Sequence, residues 1–289
     1  MQVKLGCNPL TWSGKNGGFE VAVRDIAAIG FQGVEPPVGA YLERLEELKN
    51  LIQQNQLQCA SAYTSGAFEN SEQLPELITK IVRVAAALPD FGCDRIILSA
   101  GGRGTQQGEF PDETIERFAD GVNECARQCY EKHGVKSVFH NHAWTLIESP
   151  HEVDLFMELT DPYFVLAGFD TAQLAYGGYE PAEAFRKWRT RIGYVHIKDN
   201  NPALPTAMPI AEKNALRDKK KRGFHVFWPL GQGALGDAGL DAVLDVLREI
   251  NYQGWIVNEL DSTSKSPREA NTANYEWLTK HIRPEERNG

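Results

Sequence analysis

Short apolar runs alternate with longer amphipathic segments along the whole chain, and this alternation constrains the fold more than any other feature of the sequence. Eight runs have the length and composition of buried strands, and each is followed by a segment with apolar residues at helical spacing. The predicted strands are residues 2–8, 33–36, 58–63, 94–100, 135–141, 164–170, 192–198 and 255–260, and the predicted helices are 19–29, 41–54, 71–88, 111–133, 152–159, 181–188, 240–250 and 267–281. Alternation of this kind requires parallel strands joined by helical crossovers.

Eight strand–helix units in a chain of 289 residues predict one architecture above others. A closed (β/α)8 barrel, the TIM barrel of the α/β class, has this number of units and this size. We therefore predict that residues 1–289 form a single barrel domain. An open sheet of six or seven strands is the alternative, since the boundaries of the shortest runs are weakly defined in a single sequence.

A long insertion, residues 199–239, separates the seventh predicted strand from its helix. It contains four prolines and the apolar stretch 224–230, and its residues 208–221 have the composition of a helix. Loops of this length in a compact domain usually act as lids or binding loops. The insertion is therefore predicted to lie near a functional site.

Charge and cysteine content argue against several classes of protein. The net charge of −9 disfavours a nucleic-acid partner, and the basic run 219–222 is interpreted as a solvated surface. No apolar run reaches the 18 or so residues of a membrane-spanning helix. The five cysteines include no CxxC pair, which is typical of reduced core cysteines in a cytoplasmic protein.

Chemically capable residues lie at the ends of the predicted strands. In the stretch 194–200, His196 and Lys198 alternate with apolar residues and so point to one face. The other strands end in Glu35, Tyr63, His140 with His142, Asp170 and Glu259. In a barrel these ends converge on one cavity, so residues far apart in the sequence become neighbours.

Several carboxylates and imidazoles buried together require a balancing cation, because an unpaired buried charge is costly. Ligands of this type suit Mn²⁺, Co²⁺, Fe²⁺ or Zn²⁺. Taken singly, Asp170 is as well explained by a turn cap, Glu259 by a surface strand end, and His140 and His142 by structural hydrogen bonds. Their joint occurrence, each at the same end of its own strand, favours a metal site.

Four motifs carry a resemblance to a known family. The runs Phe169–Gln173, His196–Asp199, Pro229–Gly233 and Gly254–Glu259 resemble the xylose-isomerase-like TIM barrels, the sugar phosphate isomerase/epimerase group. The opening Leu5–Trp12, the His140–His142 strand end, Leu159–Pro162 and the long insertion are similar to the inosose (2-keto-myo-inositol) dehydratase branch. The resemblance covers nearly the whole chain. Its motifs are moderately specific for the superfamily and weakly specific for the substrate.

The resemblance implies one divalent metal ion held by four strand-end residues. By position these are His140, Asp170, His196 and Glu259, with Mn²⁺ or Co²⁺ favoured and Zn²⁺, Fe²⁺ or Mg²⁺ as alternatives. The isomerase and epimerase branch usually has Glu where this chain has His140, which removes one of its paired carboxylates and favours a dehydratase. The family pattern also has His where this chain has Gln173, which cannot titrate.

The chemistry implied by the family is proton abstraction next to a carbonyl, followed in a dehydratase by loss of water. His142 or Glu259 is the predicted base, and Lys198 or His142 the predicted acid, with the pKa of Lys198 lowered by the metal. A sugar or cyclic polyol is the predicted substrate. The residues predicted to contact it are Glu35, Trp12, Tyr63, Gln173, His225 and Trp228.

Three alternatives remain open at this stage. One is a ketose or sugar-phosphate isomerase or epimerase, with Gly101–Gly104 as a phosphate-binding nest. Another is a 3-dehydroshikimate dehydratase or keto-glycoside lyase. The third is a non-catalytic sugar-binding barrel, because a fold does not fix a function. Barrels of this kind often associate, so a homo-oligomer is compatible with the sequence.

Overall fold

The computed structural model describes residues 1–104, 106, 108–219 and 224–287. The strands are β1 (Gln2–Cys7), β2 (Gly33–Val34), β3 (Gln58–Cys59), β4 (Ala62–Gly66), β5 (Arg95–Ala100), β6 (Lys136–His140), β7 (Val165–Asp170), β8 (Ile192–Ile197), β9 (Asp199–Asn200), β10 (Phe227–Trp228) and β11 (Gln253–Asn258). The α-helices are α1 (Gly18–Ile29), α2 (Leu45–Gln54), α3 (Leu74–Ala87), α4 (Asp112–His133), α5 (Pro150–Leu159), α6 (Thr171–Gly177), α7 (Pro181–Lys187), α8 (Ile210–Lys219), α9 (Gly236–Glu249) and α10 (Pro267–His281).

Nine of the strands form one parallel sheet that curls into a nearly closed barrel. Their order is β3-β2-β1-β11-β8-β7-β6-β5-β4, so the first and last strands of the sheet are β3 and β4. These two are consecutive pieces of the third predicted strand, because β3 pairs with β2 and β4 pairs with β5. The chain between them bridges the gap, which gives eight barrel positions. The (β/α)8 prediction is confirmed, and the open-sheet alternative is wrong.

Helix boundaries largely follow the end signals in the sequence. α5 and α10 each begin with a capping box, formed by Ser149 with Glu152 and by Ser266 with Glu269. α4 ends at Gly134, whose φ of 69° is in the left-handed region that glycine adopts freely. α6 was not predicted. All seven of its residues are buried, so it has no amphipathic pattern by which periodicity could reveal it.

All five cysteines are buried and unpaired, which agrees with the prediction of reduced core cysteines. In the described part of the chain, no helix has both the length and the apolar character needed to cross a membrane.

The insertion is packed against the barrel and is anchored at both ends. Its first and last parts pair as the antiparallel strands β9 and β10. The Asp199 carboxylate accepts hydrogen bonds from the backbone N–H groups of Gly233, Leu235 and Gly236, at 2.9, 3.0 and 3.2 Å. The predicted insertion helix is confirmed as α8, whereas most of the basic run, residues 220–222, lies outside the described residues.

Lys213 of α8 fastens the insertion to α6. Its side chain is fully buried, and Nζ donates to the carbonyl oxygens of Ala175 and Tyr176, each at 2.8 Å. These carbonyls lie near the C-terminus of α6, where the helix dipole favours a positive charge.

Replacing Lys213 with Met is expected to lower the free energy of unfolding by about 2–3 kcal/mol, because it leaves buried carbonyl groups without a donor. The shift in thermal midpoint relative to the wild type measures this loss. Lys219→Met is the matched control, since Lys219 lies on the same helix and is exposed. Equal midpoints for the two variants would show that Lys213 does not anchor the insertion.

Candidate metal centre

Four buried side chains converge at the carboxyl ends of neighbouring strands. His140 ends β6, Asp170 ends β7, His196 is the penultimate residue of β8, and Glu259 directly follows β11. Each offers one ligand atom, and these four atoms all lie within 4.8 Å of one another. They come together because β6, β7, β8 and β11 are consecutive in the sheet.

His196 occupies the middle of the cluster. Its Nδ1 lies 3.0 Å from Nδ1 of His140 and 3.1 Å from Oε2 of Glu259. Its other nitrogen, Nε2, lies 2.6 Å from Oε1 of Glu35. When Nε2 donates to this carboxylate, the neutral imidazole has its lone pair on Nδ1, which faces His140 and Glu259. A carboxylate behind an imidazole in this way is the usual support of a metal-binding histidine.

The residues fit a divalent cation on three grounds. Nε2 of His140 and Oδ2 of Asp170 are buried and have no hydrogen-bond partner. The carboxylates of Asp170, Glu259 and Asp261 surround one buried lysine, Lys198, and a fourth carboxylate, Glu35, contacts His196, so the carboxylates outnumber the lysine. Finally, two imidazoles with two carboxylates are ligands suited to Mn²⁺, Co²⁺, Fe²⁺ or Zn²⁺.

Burial and the neighbouring charges together shift the pKa values within the cluster. Burial raises the pKa of Asp170 to about 7. Burial also opposes a charge on His196, but Glu35 and Glu259 outweigh it and raise the pKa of the imidazole to about 9. Burial and the neighbouring His196 hold the pKa of His140 well below its ordinary value. A proton on His196 and a metal cation therefore compete for the same carboxylates.

The carboxylates around Lys198 oppose the predicted lowering of its pKa. Its Nζ lies 2.6 Å from Glu259 Oε1 and 2.6 Å from Asp261 Oδ1, and 4.0 Å from the ring centroid of Phe227. Burial alone would lower the pKa of Lys198, but the carboxylates of Asp261, Glu259 and Asp170 raise it well above the ordinary value. Lys198 therefore remains a fixed positive charge within the cluster.

Two residues of this network were not predicted from the sequence. Asp261 lies two positions beyond Glu259, and a second carboxylate so close to a strand end was the available signal. Thr171 donates its hydroxyl hydrogen to the carbonyl oxygen of Lys198 at 2.6 Å, and its Oγ1 lies 2.9 Å from the Lys198 backbone nitrogen. Thr171 lies within the family-like run Phe169–Gln173, but no role was predicted for it.

A cavity of about 510 Å³ opens above the cluster. It is lined by Asn8, Pro9, Leu10, Ser13, Gly18, Phe19, Glu35, Pro36, Pro37, Tyr63, His140, His142 and Glu259. Lys198 is not part of its wall, so the predicted acid does not face the space in which a substrate would lie.

His142 stands on the cavity wall beside the cluster, with its ring centroid 5.7 Å from that of His140. Its Nδ1 lies 2.7 Å from the carbonyl oxygen of Ala143, which can only accept a hydrogen bond. The neutral ring therefore carries its hydrogen on Nδ1 and its lone pair on Nε2. Burial and the nearby Lys198 lower the pKa of His142, which keeps the ring neutral.

The structure brings only some of the predicted substrate contacts to this cavity. Glu35 and Tyr63 line it. Gln173 is buried next to it, where its Oε1 accepts from the Ala143 backbone N–H at 2.9 Å and so fixes the loop after His142.

Three aromatic or imidazole residues lie elsewhere, which corrects their predicted role. Trp12 is buried in the core, and its indole N–H donates to Asp25 at 2.8 Å. His225 and Trp228 line a separate cavity of about 120 Å³, where His225 Nδ1 lies 2.8 Å from the Ser262 hydroxyl. These residues were chosen because they lie near strand ends or on the insertion. In the folded chain none of the three lines the cavity above the cluster.

The glycine-rich turn Gly101–Gly104 does not offer a free basic group. The Arg103 guanidinium lies 3.0 Å from Glu148 and 2.8 Å from Glu152, and both carboxylates are buried. No lysine or arginine lines the described wall of the main cavity. The site therefore has no cationic cradle for a phosphate, which argues against the sugar-phosphate alternative.

Replacing Glu35 with Gln is expected to weaken divalent-metal binding by about 10–100-fold, because an amide no longer fixes His196 as the Nε2–H tautomer. A competition assay with a coloured chelator measures the affinity. Glu43→Gln is the control, since Glu43 forms a surface ion pair with Arg83. An unchanged affinity in the Glu35 variant would show that this carboxylate does not support a metal ligand.

The sequence of this chain is similar to a known family and to named relatives. The family model described as Xylose isomerase-like TIM barrel matches residues 23–281. Inosose dehydratase 2 of Bacillus cereus is 30% identical over 277 residues, which are 90% of this chain and 90% of the relative. Inosose dehydratase of Clostridium botulinum is 29% identical and covers 95% of this chain and 94% of its own length.

Solved structures share the same architecture. The crystal structure of the IOLI protein with a bound zinc atom superposes with a TM-score of 0.73 and covers 97% of this chain and 98% of its own. Its sequence is 18% identical to this chain, so this likeness concerns the fold.

Proposed function

The chain belongs to the xylose isomerase-like TIM barrel family, and from this membership we propose that it is a divalent-metal-dependent enzyme that removes a proton next to the carbonyl of a cyclic polyol or sugar. Within that chemistry we propose a dehydratase similar to inosose dehydratase, the activity named for relatives about 30% identical to it. The observation that carries the proposal is the cluster of two imidazoles and two carboxylates, buried beneath an open cavity with an uncommitted imidazole beside it.

We assign the metal ligands to His140, Asp170, His196 and Glu259, whose ligand atoms converge. A divalent cation held there would polarise a carbonyl or hydroxyl oxygen of the substrate as a Lewis acid. Mn²⁺ and Co²⁺ are the favoured ions, with Zn²⁺, Fe²⁺ and Mg²⁺ as alternatives. Glu35 orients His196, and Lys198 with Asp261 balances the charge behind the cluster.

His142 is the proposed base. Among the predicted base residues it alone lies on the cavity wall without belonging to the ligand cluster. Its Nε2 lone pair is free to accept the proton from the carbon next to the carbonyl, since Nδ1 is engaged by Ala143.

The same imidazole is the proposed acid. After accepting the α-proton, His142 can donate a proton to the neighbouring hydroxyl, so that the carbon–oxygen bond breaks, a carbon–carbon double bond remains and water leaves. Lys198 was the other predicted acid. We assign it a positioning role instead, because it is enclosed by carboxylates and does not reach the cavity wall.

Loss of water is favoured over epimerisation by the identity of the first ligand. An epimerase of this kind uses two carboxylates on opposite sides of the substrate, and His140 stands where that branch usually has Glu. The cavity wall of this chain carries two carboxylates, Glu35 and Glu259, but Glu35 bonds to His196 and Glu259 belongs to the proposed ligand set, which leaves His142 as the proposed base.

A panel of ring and open-chain ketones tests the proposal. The metal-loaded protein is incubated with keto-inositols, free ketoses and 3-dehydroshikimate, and the products are separated into dehydrated and isomerised species. Dehydration of a keto-inositol supports the proposal. Isomerisation without loss of water would instead place the chain in the isomerase and epimerase branch.

A further inference from the structure

The residues that line the cavity above the cluster fall into two chemically different sets, and this bears on the substrate. The polar set contains the reactive groups, Glu35, His140, His142 and Glu259. The apolar set, called the apolar wall below, consists of Pro9, Leu10, Phe19, Pro36 and Pro37, and the aromatic Tyr63 also lines the cavity. A free polyol carries hydroxyl groups around its whole ring and gains little from such an apolar wall.

Two exposed apolar residues lie at this cavity. Four large hydrophobic residues are exposed in the described part of the chain, and two of them, Leu10 and Tyr63, line the cavity with 43% of each exposed. The other two, Leu159 and Tyr163, lie away from it at the end of α5 and just beyond. An exposed apolar group in a concave site beside reactive residues is typical of a binding surface.

The apolar wall is held in place before any ligand binds. Leu10 lies in a short 3-10 helix, Pro9–Trp12, whose N-terminus is capped when the Asn8 side chain accepts from the Leu10 N–H at 2.9 Å. Trp12 anchors the other end of this helix in the core. Pro36 and Pro37 restrict their own backbone. A preformed wall of this kind costs little conformational entropy on binding.

The cavity is also larger than one six-membered ring requires. Its volume of about 510 Å³ is within the range of pockets that hold drug-sized ligands. A single six-membered ring placed against the cluster therefore leaves part of this volume free. No cationic side chain lines the described wall, so an anionic substituent has no partner there.

Building on the proposed function, we infer that the natural substrate is a keto-sugar or keto-polyol ring that carries an apolar, aromatic substituent, such as an aryl glycoside. The ring lies over the metal cluster, and the substituent packs against Leu10, Phe19, Pro36 and Pro37. Aromatic rings suit this wall because they stack on flat apolar surfaces and offer a large contact area with few rotatable bonds.

Binding of two unreactive glycosides tests this inference separately from catalysis. Phenyl β-glucoside and methyl β-glucoside share the sugar ring, and neither has a carbonyl that can be turned over. Isothermal calorimetry with the metal-loaded protein is expected to give at least about tenfold tighter binding of the phenyl glycoside. In Leu10→Ser this preference should fall to less than about threefold. Leu159→Ser, which removes an equally exposed leucine outside the cavity, should keep the full preference.

Equal affinity for the two glycosides, or a preference that survives in Leu10→Ser, would overturn the inference. So would a failure of both glycosides to bind. The proposed function has its own readout, which is the turnover of ring ketones by the metal-loaded protein. If a keto-inositol is dehydrated but the two glycosides bind equally, the inferred aromatic substituent is wrong and the proposed function stands. If the phenyl glycoside is preferred but no ring ketone is turned over, the proposed function is wrong and the inferred apolar binding surface stands.

Discussion

Replacing Asp170 with Asn and Glu259 with Gln in one variant is expected to reduce bound divalent metal from about one ion per chain to near zero. Both substitutions keep the size of the side chain and remove its charge. Asp170 and Glu259 are the two carboxylates among the four proposed ligands, and their ligand atoms lie within 4.8 Å of those of the two imidazoles. Metal analysis of the purified protein after dialysis measures the content, and turnover of a ring ketone should be lost with it.

A matched control separates loss of a ligand from loss of a buried carboxylate. Glu148→Gln removes the charge of a buried residue that pairs with Arg103 outside the cluster, and it should leave the metal content unchanged. Circular dichroism and thermal unfolding establish that each variant is folded. A stoichiometric metal ion retained by the folded double variant would show that the four residues are not the ligands.

Replacing His142 with Gln is expected to lower kcat by about 10²- to 10⁴-fold, the usual contribution of a positioned general base. Metal content should be unchanged, because His142 lies on the cavity wall and not among the four converging ligands. KM should change little in comparison, since a neutral glutamine keeps the polarity of the wall. This combination of results distinguishes a base from a metal ligand.

His225→Gln is the control for the loss of an imidazole. His225 lies in the separate cavity beside Ser262, and its replacement should leave kcat within about twofold of the wild type. If His142→Gln retained wild-type kcat, another group would have to remove the proton. Glu259 would then be the remaining predicted base.

The convergence of the four ligand residues could be predicted because it depends on strand order alone. His140, Asp170, His196 and Glu259 each lie at or just beyond a strand end. Once the pattern indicates a parallel barrel, successive strands become neighbours and their carboxyl ends share one cavity. Side chains alternate between the two faces of a strand, so the sequence also indicates which residues point into the barrel.

The environment of Lys198 could not be predicted in the same way. Its place on the same face as His196 was correct, but its pKa depends on how many carboxylates surround Nζ and at what distance. Asp261 lies beyond the end of β11, and the turn that brings its carboxylate to 2.6 Å from Nζ leaves no periodic trace in the sequence. Burial alone lowers the pKa of a lysine, but several nearby carboxylates raise it and outweigh burial.

The predicted substrate contacts of Trp12 and Trp228 were not found, for a related reason. Trp12 and Trp228 were chosen because aromatic faces suit sugar rings, and nothing in the sequence states which way a loop side chain points. Trp12 turns into the core and bonds to Asp25, while Trp228 follows β10 into the smaller cavity. The apolar wall, which includes Leu10 and Pro37, corresponds to no sequence motif. Its residues come from separate segments, which only the folded barrel brings to one cavity.

Exchange of substrate protons for deuterium tests the central claim most directly. The metal-loaded protein is incubated in D₂O with 2-keto-myo-inositol, and the hydrogen next to the carbonyl is followed by proton NMR. The account predicts that this signal is lost, with formation of the dehydrated product, at a rate that falls to background after chelation and in His142→Gln. A metal-loaded, folded protein that leaves the α-hydrogens of this and other ring ketones in place, or that exchanges them equally well after chelation, would contradict it.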